Sequence, residues 1–248
     1  MLEPDQNRTQ LNPVPSVRDS RPDIPLVMCV YQRVSLLAES LRHFSEQTVS
    51  SRIVLHLWNN HLAAREEVEA IVAAHRDEGG FPVYLHHSPE NVGGFGRFYF
   101  AQKLSQTYPF VVFIDDDQRF ATEYELGALF SDRMSETLSG FWGHRFEGKP
   151  YWKKVKTHAF GEVEYLGTGG MVADTKIFQY PQCFECPRRF WFVEDLWLSF
   201  VAKHLLGWKL VKSQCEIDSI DTKNDQWRQI RNLKNEFLIH LRHRGWQV

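Results

Sequence analysis

Apolar positions along the chain come in short runs separated by stretches of helical spacing. Leu26-Val27-Met28-Cys29-Val30-Tyr31 is strand-sized and uncharged, as a strand covered on both faces would be. Leu36, Leu37, Leu41 and Phe44 then recur at helical spacing, and Ile53-Val54-Leu55-His56-Leu57-Trp58 reads as a second strand. Residues 63–77 predict a helix with Val68, Ile71 and Val72 inside, closed by Gly79-Gly80. Val83-Tyr84-Leu85 is a third strand. Asn91-Val92-Gly93-Gly94-Phe95-Gly96 is a Gly-rich turn opening a helix to about Tyr108, and Phe110-Val111-Val112-Phe113-Ile114 is a fourth strand. Strands alternating with helices predict βαβ units and a mainly parallel sheet. Ligands of such sheets bind beyond the carboxyl ends of the strands. Three of those ends are polar here: Tyr31-Gln32-Arg33, Asn59-Asn60 and Asp115-Asp116-Asp117.

The second half is patterned differently. From about Gly140 to Leu166 aromatic and polar residues alternate, as in antiparallel strands. Gly167-Thr168-Gly169-Gly170 reads as a flexible loop. Glu194 to Leu206 predicts a helix with Leu196, Phe200, Ala202 and Leu205 available for a core face, and Trp208 to Val211 a short strand. Residues 226–244 predict an amphipathic basic helix with Trp227, Ile230, Leu233, Phe237 and Leu241 on one side. Residues 1 to about 24 are rich in Pro, Asp, Asn, Arg and Ser without an apolar pattern, and the expectation is a mobile tail. The expected layout is a tail over 1–24, one α/β domain over 25–225, and a C-terminal helix over 226–248 packed on it.

Composition narrows the class. Among 248 residues, 43% are hydrophobic and 14% aromatic, enough for a substantial core. A net charge of −2 gives no electrostatic footprint for nucleic acid. Four cysteines are too few for a disulfide framework in a chain this long, so a reducing compartment is expected. The N-terminus is acidic and polar, unlike a signal peptide, and no run approaches the ~20 apolar residues of a membrane span. The expectation is a soluble, cytoplasmic protein, with peripheral contact on the inner membrane face as its only membrane option.

Three clusters carry candidate chemistry. Asp115-Asp116-Asp117 follows an apolar strand directly, so mutual repulsion and the low-dielectric rim make these carboxylates costly. A divalent cation would offset that cost, and Mg²⁺ or Mn²⁺ commonly bridges one or two carboxylates to substrate phosphates. The same residues also suit a solvated turn or a helix N-cap. Glu194-Asp195 opens a helix after an aromatic stretch. It reads either as negative charge placed at a helix N-terminus or as a carboxylate accepting the proton of an attacking hydroxyl. In Asn91 to Arg97, a Gly-rich turn and a helix N-terminus suit phosphate, Arg97 would add a charge-assisted contact, and a plain turn is the alternative. Its glycines are not spaced as in the dinucleotide fingerprint Gly-x-Gly-x-x-Gly.

Taken together, these clusters resemble the GT-A-fold glycosyltransferases, and among them the large inverting family 2. Val27 to Arg33, Trp58-Asn59-Asn60, Asn91 to Arg97, Asp115-Asp116-Asp117 and Glu194-Asp195 carry the likeness, which spans about residues 25–212. Gly-Gly-Phe with Asp-Asp-Asp is also faintly similar to bacterial galactofuranosyl- and rhamnosyltransferases. The resemblance implies a GT-A-like α/β fold, a metal (Mn²⁺ or Mg²⁺), a nucleotide-diphosphate sugar donor (UDP-sugar first) and a carbohydrate or lipid-linked hydroxyl acceptor. It implies that Asp115 and Asp117 hold the metal, with Asp116 near the ribose or sugar. Tyr31, Arg33 and Asn59 would line the nucleotide pocket, and Asn91, Gly94 and Arg97 would fix the nucleotide or diphosphate. Thr168, Gly169 and Gly170 would border the donor sugar and acceptor. Asp195 would be the general base, with Glu194 contacting the acceptor or supporting it. The implied setting is polysaccharide or glycolipid assembly.

The likeness has departures. Asn59-Asn60 stands where family 2 members often have an aspartate, and the third metal ligand is open among Asp218, Asp221 and His240. Cys183-Phe184-Glu185-Cys186 lacks the two further ligands that a zinc site needs and reads as ordinary thiols. Trp191, Phe192 and Trp197 suit either sugar stacking or core. Arg228, Arg231, Lys234, Arg242 and Arg244 suit either an anionic lipid surface or a solvated helix face. Two rival functions remain. A sugar nucleotidyltransferase would carry a Gly-rich basic loop after the first strand, and Tyr31-Gln32-Arg33-Val34 has no glycine. A non-catalytic nucleotide- or sugar-binding module would not require intact Asp115, Asp117 and Asp195.

Overall fold

The computed structural model describes residues 23–220 and 226–248. The strands are β1 (Ile24–Val30), β2 (Ile53–Asn59), β3 (Val83–His87), β4 (Phe110–Asp115), β5 (Gln118–Phe120) and β6 (Thr137–Gly140). They continue as β7 (Gly143–Phe146), β8 (Lys154–Lys156), β9 (Tyr165–Leu166), β10 (Met171–Asp174), β11 (Lys209–Lys212) and β12 (Ile217–Ser219). The helices are α1 (Leu37–Ser45), α2 (Arg65–Asp77), α3 (Gly96–Leu104), α4 (Glu125–Ser131), α5 (Glu194–Phe200) and α6 (Gln226–His243). The tail expected over 1–24 lies outside the described residues except for its last two, and Ile24 already belongs to β1.

Seven strands form the central sheet in the order β11-β6-β10-β4-β1-β2-β3. β1 pairs in parallel with β2 and β4, and β2 with β3, because helices connect successive strands. β10 runs antiparallel to both β4 and β6. The aromatic-polar segment forms the small antiparallel sheet β8-β7-β9, and β12 pairs with β5 in a two-stranded ribbon. The mainly parallel sheet with a smaller antiparallel portion is therefore as expected.

Side-chain alternation divides the core into two layers. Val27, Val111, Phe113, Met171 and Ala173 face one way, onto α3, α5 and α6. Leu26, Met28, Val112, Ile114 and Val172 face the other way, onto α1, α2 and α4. Every residue of β1 is buried, which explains its unbroken apolar run.

Three expectations need correction. The helix read over 194–206 is α-helical only to Phe200 and continues as a π-helical turn over Val201–Leu205. Leu205 is 40% exposed and does not join the core face. Gly167-Thr168-Gly169-Gly170 is not a loose loop: all four residues are buried, and it leads straight into β10. The basic residues of this segment are only partly a solvated face: Arg244, just past α6, is exposed, while Lys234 is buried and Arg231 and Arg242 are half-buried. Arg231 lies over the Trp152 ring at 4.5 Å, Arg242 donates to the Gly148 carbonyl at 3.0 Å, Arg244 lies over Trp197 at 5.3 Å, and Lys234 is buried. Arg228 lies outside the described side chains. Among the described residues no helix is long and apolar enough to cross a membrane.

Candidate active site

The carboxyl ends of β1, β2 and β4 open on one cleft of about 850 Å³, within the range of small-molecule sites. Its acidic end is Asp115-Asp116-Asp117. Asp115 ends β4 with its side chain 33% exposed, and Arg97 Nη2 donates to Asp115 Oδ1 at 2.8 Å. Arg33 clamps the next two: its guanidinium bonds Asp116 and reaches Asp117 Oδ2 at 3.0 Å. Burial, then repulsion from Asp115, holds the Asp117 carboxyl up to about 7. Asp116 is also raised by burial despite Arg33, and its carboxylate is engaged by that arginine within the protein.

The Gly-rich turn is built for close approach. Asn91 Oδ1 accepts from Gly93 N–H at 2.8 Å, a local turn bond. Asn60 holds the turn against β2, accepting from Val92 N–H at 3.0 Å and from Trp58 Nε1 at 3.1 Å, and donating to the Gly93 carbonyl at 2.9 Å. A Cβ on Gly94 would run into the Glu194 carboxylate, so only glycine lets α5 reach this turn. Arg97, on the first turn of α3, links the two acidic clusters. It pairs with Asp115 and lies 3.7 Å from Glu194 Oε1. Its Nη1 is buried with no hydrogen-bonding partner among the described residues.

Glu194 and Asp195 begin α5 and both line the cleft. Thr168 Oγ1 donates to Glu194 Oε1 at 3.1 Å. Burial pushes the Glu194 carboxyl up, with Arg97 opposing and Asp195 adding to the rise. Asp195 is in the opposite state. Its Oδ2 accepts from Tyr165 Oη and from Lys234 Nζ, while Oδ1 accepts from the Leu196 N–H at 2.8 Å. Burial alone would raise this carboxyl, but Lys234 and the hydrogen bonds override it and hold it below the usual carboxylate range.

The sequence-derived set is thus mostly convergent: Tyr31, Arg33, Asn91, Gly94, Arg97, the three aspartates, Thr168, Gly169, Glu194 and Asp195 all line the cleft. Two members do not. Asn59 is fully buried and bonds His61 and His87, while the next residue, Asn60, is the one on the cleft. Gly170 has φ +70°, and its backbone bonds Phe113 and Phe141 behind the cleft. Gly169 is the close-approach position: a Cβ there would strike the Asp115 carboxylate and Gln118. Of the third-ligand candidates, Asp218 faces Arg119 at 3.5 Å on the ribbon, and His240 packs on Phe190 and Phe237. Asp221 lies outside the described residues. Trp197 is core, Trp191 stacks on Phe95 at 4.9 Å, and Phe192, 45% exposed, lines the cleft. The Cys183 and Cys186 thiols are buried and turn to the Ile177 and Pro187 carbonyls.

Sequence reasoning missed the opposite end of the cleft: Trp142, His144, Tyr151, Lys154, Tyr165 and Lys234. One signal was available. Lys234 stands four residues after Ile230 and three before Phe237, on the apolar stripe of α6, where a charge requires a buried partner.

The acidic end fits a divalent cation. Among the described residues, Asp115, Asp116, Asp117 and Glu194 pair there with Arg33 and Arg97, four carboxyls against two guanidiniums. Among the described residues no three His, Cys, Asp or Glu converge into a complete cage, so a cation would complete its shell with water and ligand phosphates.

No family model matches the sequence, and no curated protein does. Solved structures do. The mannosyltransferase PcManGT from Pyrobaculum calidifontis, in complex with GDP-Man and Mn²⁺, superposes with a TM-score of 0.64 at 12% identity, over 94% of this chain and 68% of that one. GalNAc-T7 with UDP, GalNAc and Mn²⁺ gives 0.59 at 12% identity, over 81% of this chain and 44% of that one. S. aureus TarS (residues 1–349) with UDP gives 0.52 at 14% identity, over 77% and 57%. At these identities the likeness establishes the architecture: the chain has the GT-A fold, the fold of these glycosyltransferases.

Proposed function

We propose that this chain is a metal-assisted glycosyltransferase that moves a sugar from a nucleoside-diphosphate donor, UDP-linked first among the candidates, to a hydroxyl acceptor. The observation that carries the reading is the placement of two carboxylate clusters on one cleft: Asp115-Asp116-Asp117 after β4 and Glu194-Asp195 on α5. Arg97 ties the two together, pairing with Asp115 and reaching Glu194.

Asp115 and Asp117 would hold Mn²⁺ or Mg²⁺, which neutralises charge gathering on the diphosphate leaving group. Arg97, which lines the cleft and whose Nη1 has no hydrogen-bonding partner among the described residues, is a candidate donor to a phosphate oxygen. Arg33 fixes the acidic turn through Asp116 and Asp117. Thr168 and Gly169 border the sugar. In an inverting transfer, the acceptor oxygen bonds the anomeric carbon as the carbon–phosphate-oxygen bond breaks. The acceptor proton passes to a carboxylate on α5, and the nucleoside diphosphate leaves.

The family resemblance gives the base to Asp195. Its Oδ2 must then exchange Lys234 or Tyr165 for the acceptor hydroxyl. Glu194, with its carboxyl pushed up, has the higher proton affinity in the present geometry and is the second candidate. Asp195→Asn and Glu194→Gln are compared at a temperature where both are folded. The base variant loses about 10²–10⁴ in kcat.

The reading itself is tested by melting the full chain with UDP, GDP, dTDP or CMP, with and without Mn²⁺. A nucleotide that binds only the native state raises the apparent Tm. The expected result is a Mn²⁺-dependent rise with one nucleotide, abolished in Asp117→Ala. No rise with any nucleotide on folded protein would overturn the transferase reading.

A further inference from the structure

The end of the cleft away from Arg33 and Asp115 carries charge of the other sign. β8 contributes Lys154 and α6 contributes Lys234, and both line the cavity. The two ammoniums share an aromatic floor. Lys154 Nζ is 4.1 Å from the Tyr151 ring centre and 4.8 Å from that of Tyr165. Lys234 Nζ is 5.4 and 5.7 Å from the same rings.

Their partners differ. Lys234 is paired with Asp195. Lys154 donates to the Tyr151 hydroxyl at 2.7 Å, and among the described residues no carboxylate lies within ion-pair distance of it. Burial, with the nearby Lys234 charge, pulls the Lys154 ammonium below its ordinary value, with Tyr151 and, more weakly, Asp195 opposing. His144 adds no compensating charge. It is buried on the same end, and its Nδ1 meets no hydrogen-bonding partner among the described residues. A half-buried cation with no direct counter-ion among the described residues is costly to the fold, and a bound anion removes the cost.

We propose that this end of the cleft is a subsite for a negatively charged group, carboxylate or phosphate, on the acceptor. The inference rests on the transferase reading and adds a substrate class to it: acidic or phosphorylated acceptors in place of neutral ones. Lys154, with ammonium protons beyond the one Tyr151 accepts, supplies the charge, and Trp142, which lines the same cleft, supplies an apolar face for the sugar ring. Lys234 stays with Asp195. The location assigns the anion to the acceptor because Asp195, on which Lys234 and Tyr165 converge, belongs to the carboxylate pair that would take the acceptor proton.

The test uses full-length protein and three probes: methyl glucuronide, methyl glucoside 6-phosphate and methyl glucoside. Each is titrated by calorimetry with Mg²⁺ and UDP or GDP present. The charged probes should bind at least about tenfold tighter than methyl glucoside, the scale of one charge-assisted hydrogen bond. The preference should shrink with added salt and disappear in Lys154→Gln. Salt dependence on the wild type keeps the inference falsifiable if Lys154→Gln does not fold. Equal binding of charged and neutral probes, or no binding of the charged ones, would overturn it. A second arm compares UDP-glucuronate with UDP-glucose. A Lys154-dependent preference there, without one among the methyl glycosides, would move the anion to the donor sugar and overturn the acceptor assignment. Nucleotide binding to the wild type is read separately, so its loss indicts the transferase reading and not the anion subsite.

Discussion

At the scale of single residues, the acidic cluster was readable and its counterweights were not. Three consecutive aspartates after an apolar run stand out in any sequence because no packing argument calls for them. Lys234 is different. It sits among arginines and lysines on a basic helix, and only its phase relative to Ile230 and Phe237 distinguishes it. The fold buries Lys234 to 6% exposure as the partner of Asp195. Removing one member of a buried pair leaves an uncompensated charge, at a cost of about 3–5 kcal/mol. Asp195→Asn and Lys234→Met should therefore each lower Tm by roughly 6–20 °C at this chain length. The double variant should recover most of that loss, since no charge is then stranded. Melting the four proteins of the cycle measures it. Additive losses would show that the pair carries no such coupling.

At the scale of elements, βαβ alternation revealed β1 to β4 because each strand there is built on a short apolar run, interrupted in β2 by His56 and ended in β3 by His86-His87. β6 and β10 escaped notice. Thr137-Leu138-Ser139-Gly140 and Met171-Val172-Ala173-Asp174 are short, mixed and glycine-flanked, and they gain strand character only from pairing with each other and with β4. Likewise Asn59 and Asn60 cannot be ranked from the chain, since which of two adjacent residues faces the cleft depends on the phase in which β2 ends. α6 was visible as an amphipathic helix, but not that its docking brings Lys234 against Asp195. Phe237 is its anchor, fully buried and stacked on Phe190 at 4.0 Å. Phe237→Ala should cost about 3–5 kcal/mol. Ile239→Ala, two residues on and 44% exposed, should stay within about 0.5 kcal/mol. Urea unfolding of both variants makes the comparison. Equal effects would mean that α6 is not held through this face.

At the scale of the whole molecule, the buried titratable groups pull stability in opposite directions with pH. Burial holds the Asp117 carboxyl up to about 7, so the folded chain keeps that proton longer than the unfolded chain does. That contribution rises as pH falls from about 7 towards the ordinary aspartate value. His56, in the central sheet, and His144, in the small antiparallel sheet, act the other way. Burial pulls His56 down to about 4, and burial with Lys154 and Lys156 pulls His144 down to about 3. Both imidazoles stay neutral in the fold, and each stacks on a tyrosine, Tyr84 at 5.1 Å and Tyr165 at 5.9 Å. Below about 6.5 the unfolded chain binds protons at these two positions and the folded chain does not, so stability drops by about 1.4 kcal/mol per pH unit for each histidine. The wild-type curve mixes these opposing signs, and subtraction isolates one of them. Between pH 7 and 5, His144→Gln should lose roughly 2 kcal/mol less stability than the wild type. Denaturant titrations at the two pH values measure the difference. Parallel curves would show that His144 takes up its proton in the folded state, and a charged imidazole would then stand beside Lys154 at the anion end of the cleft.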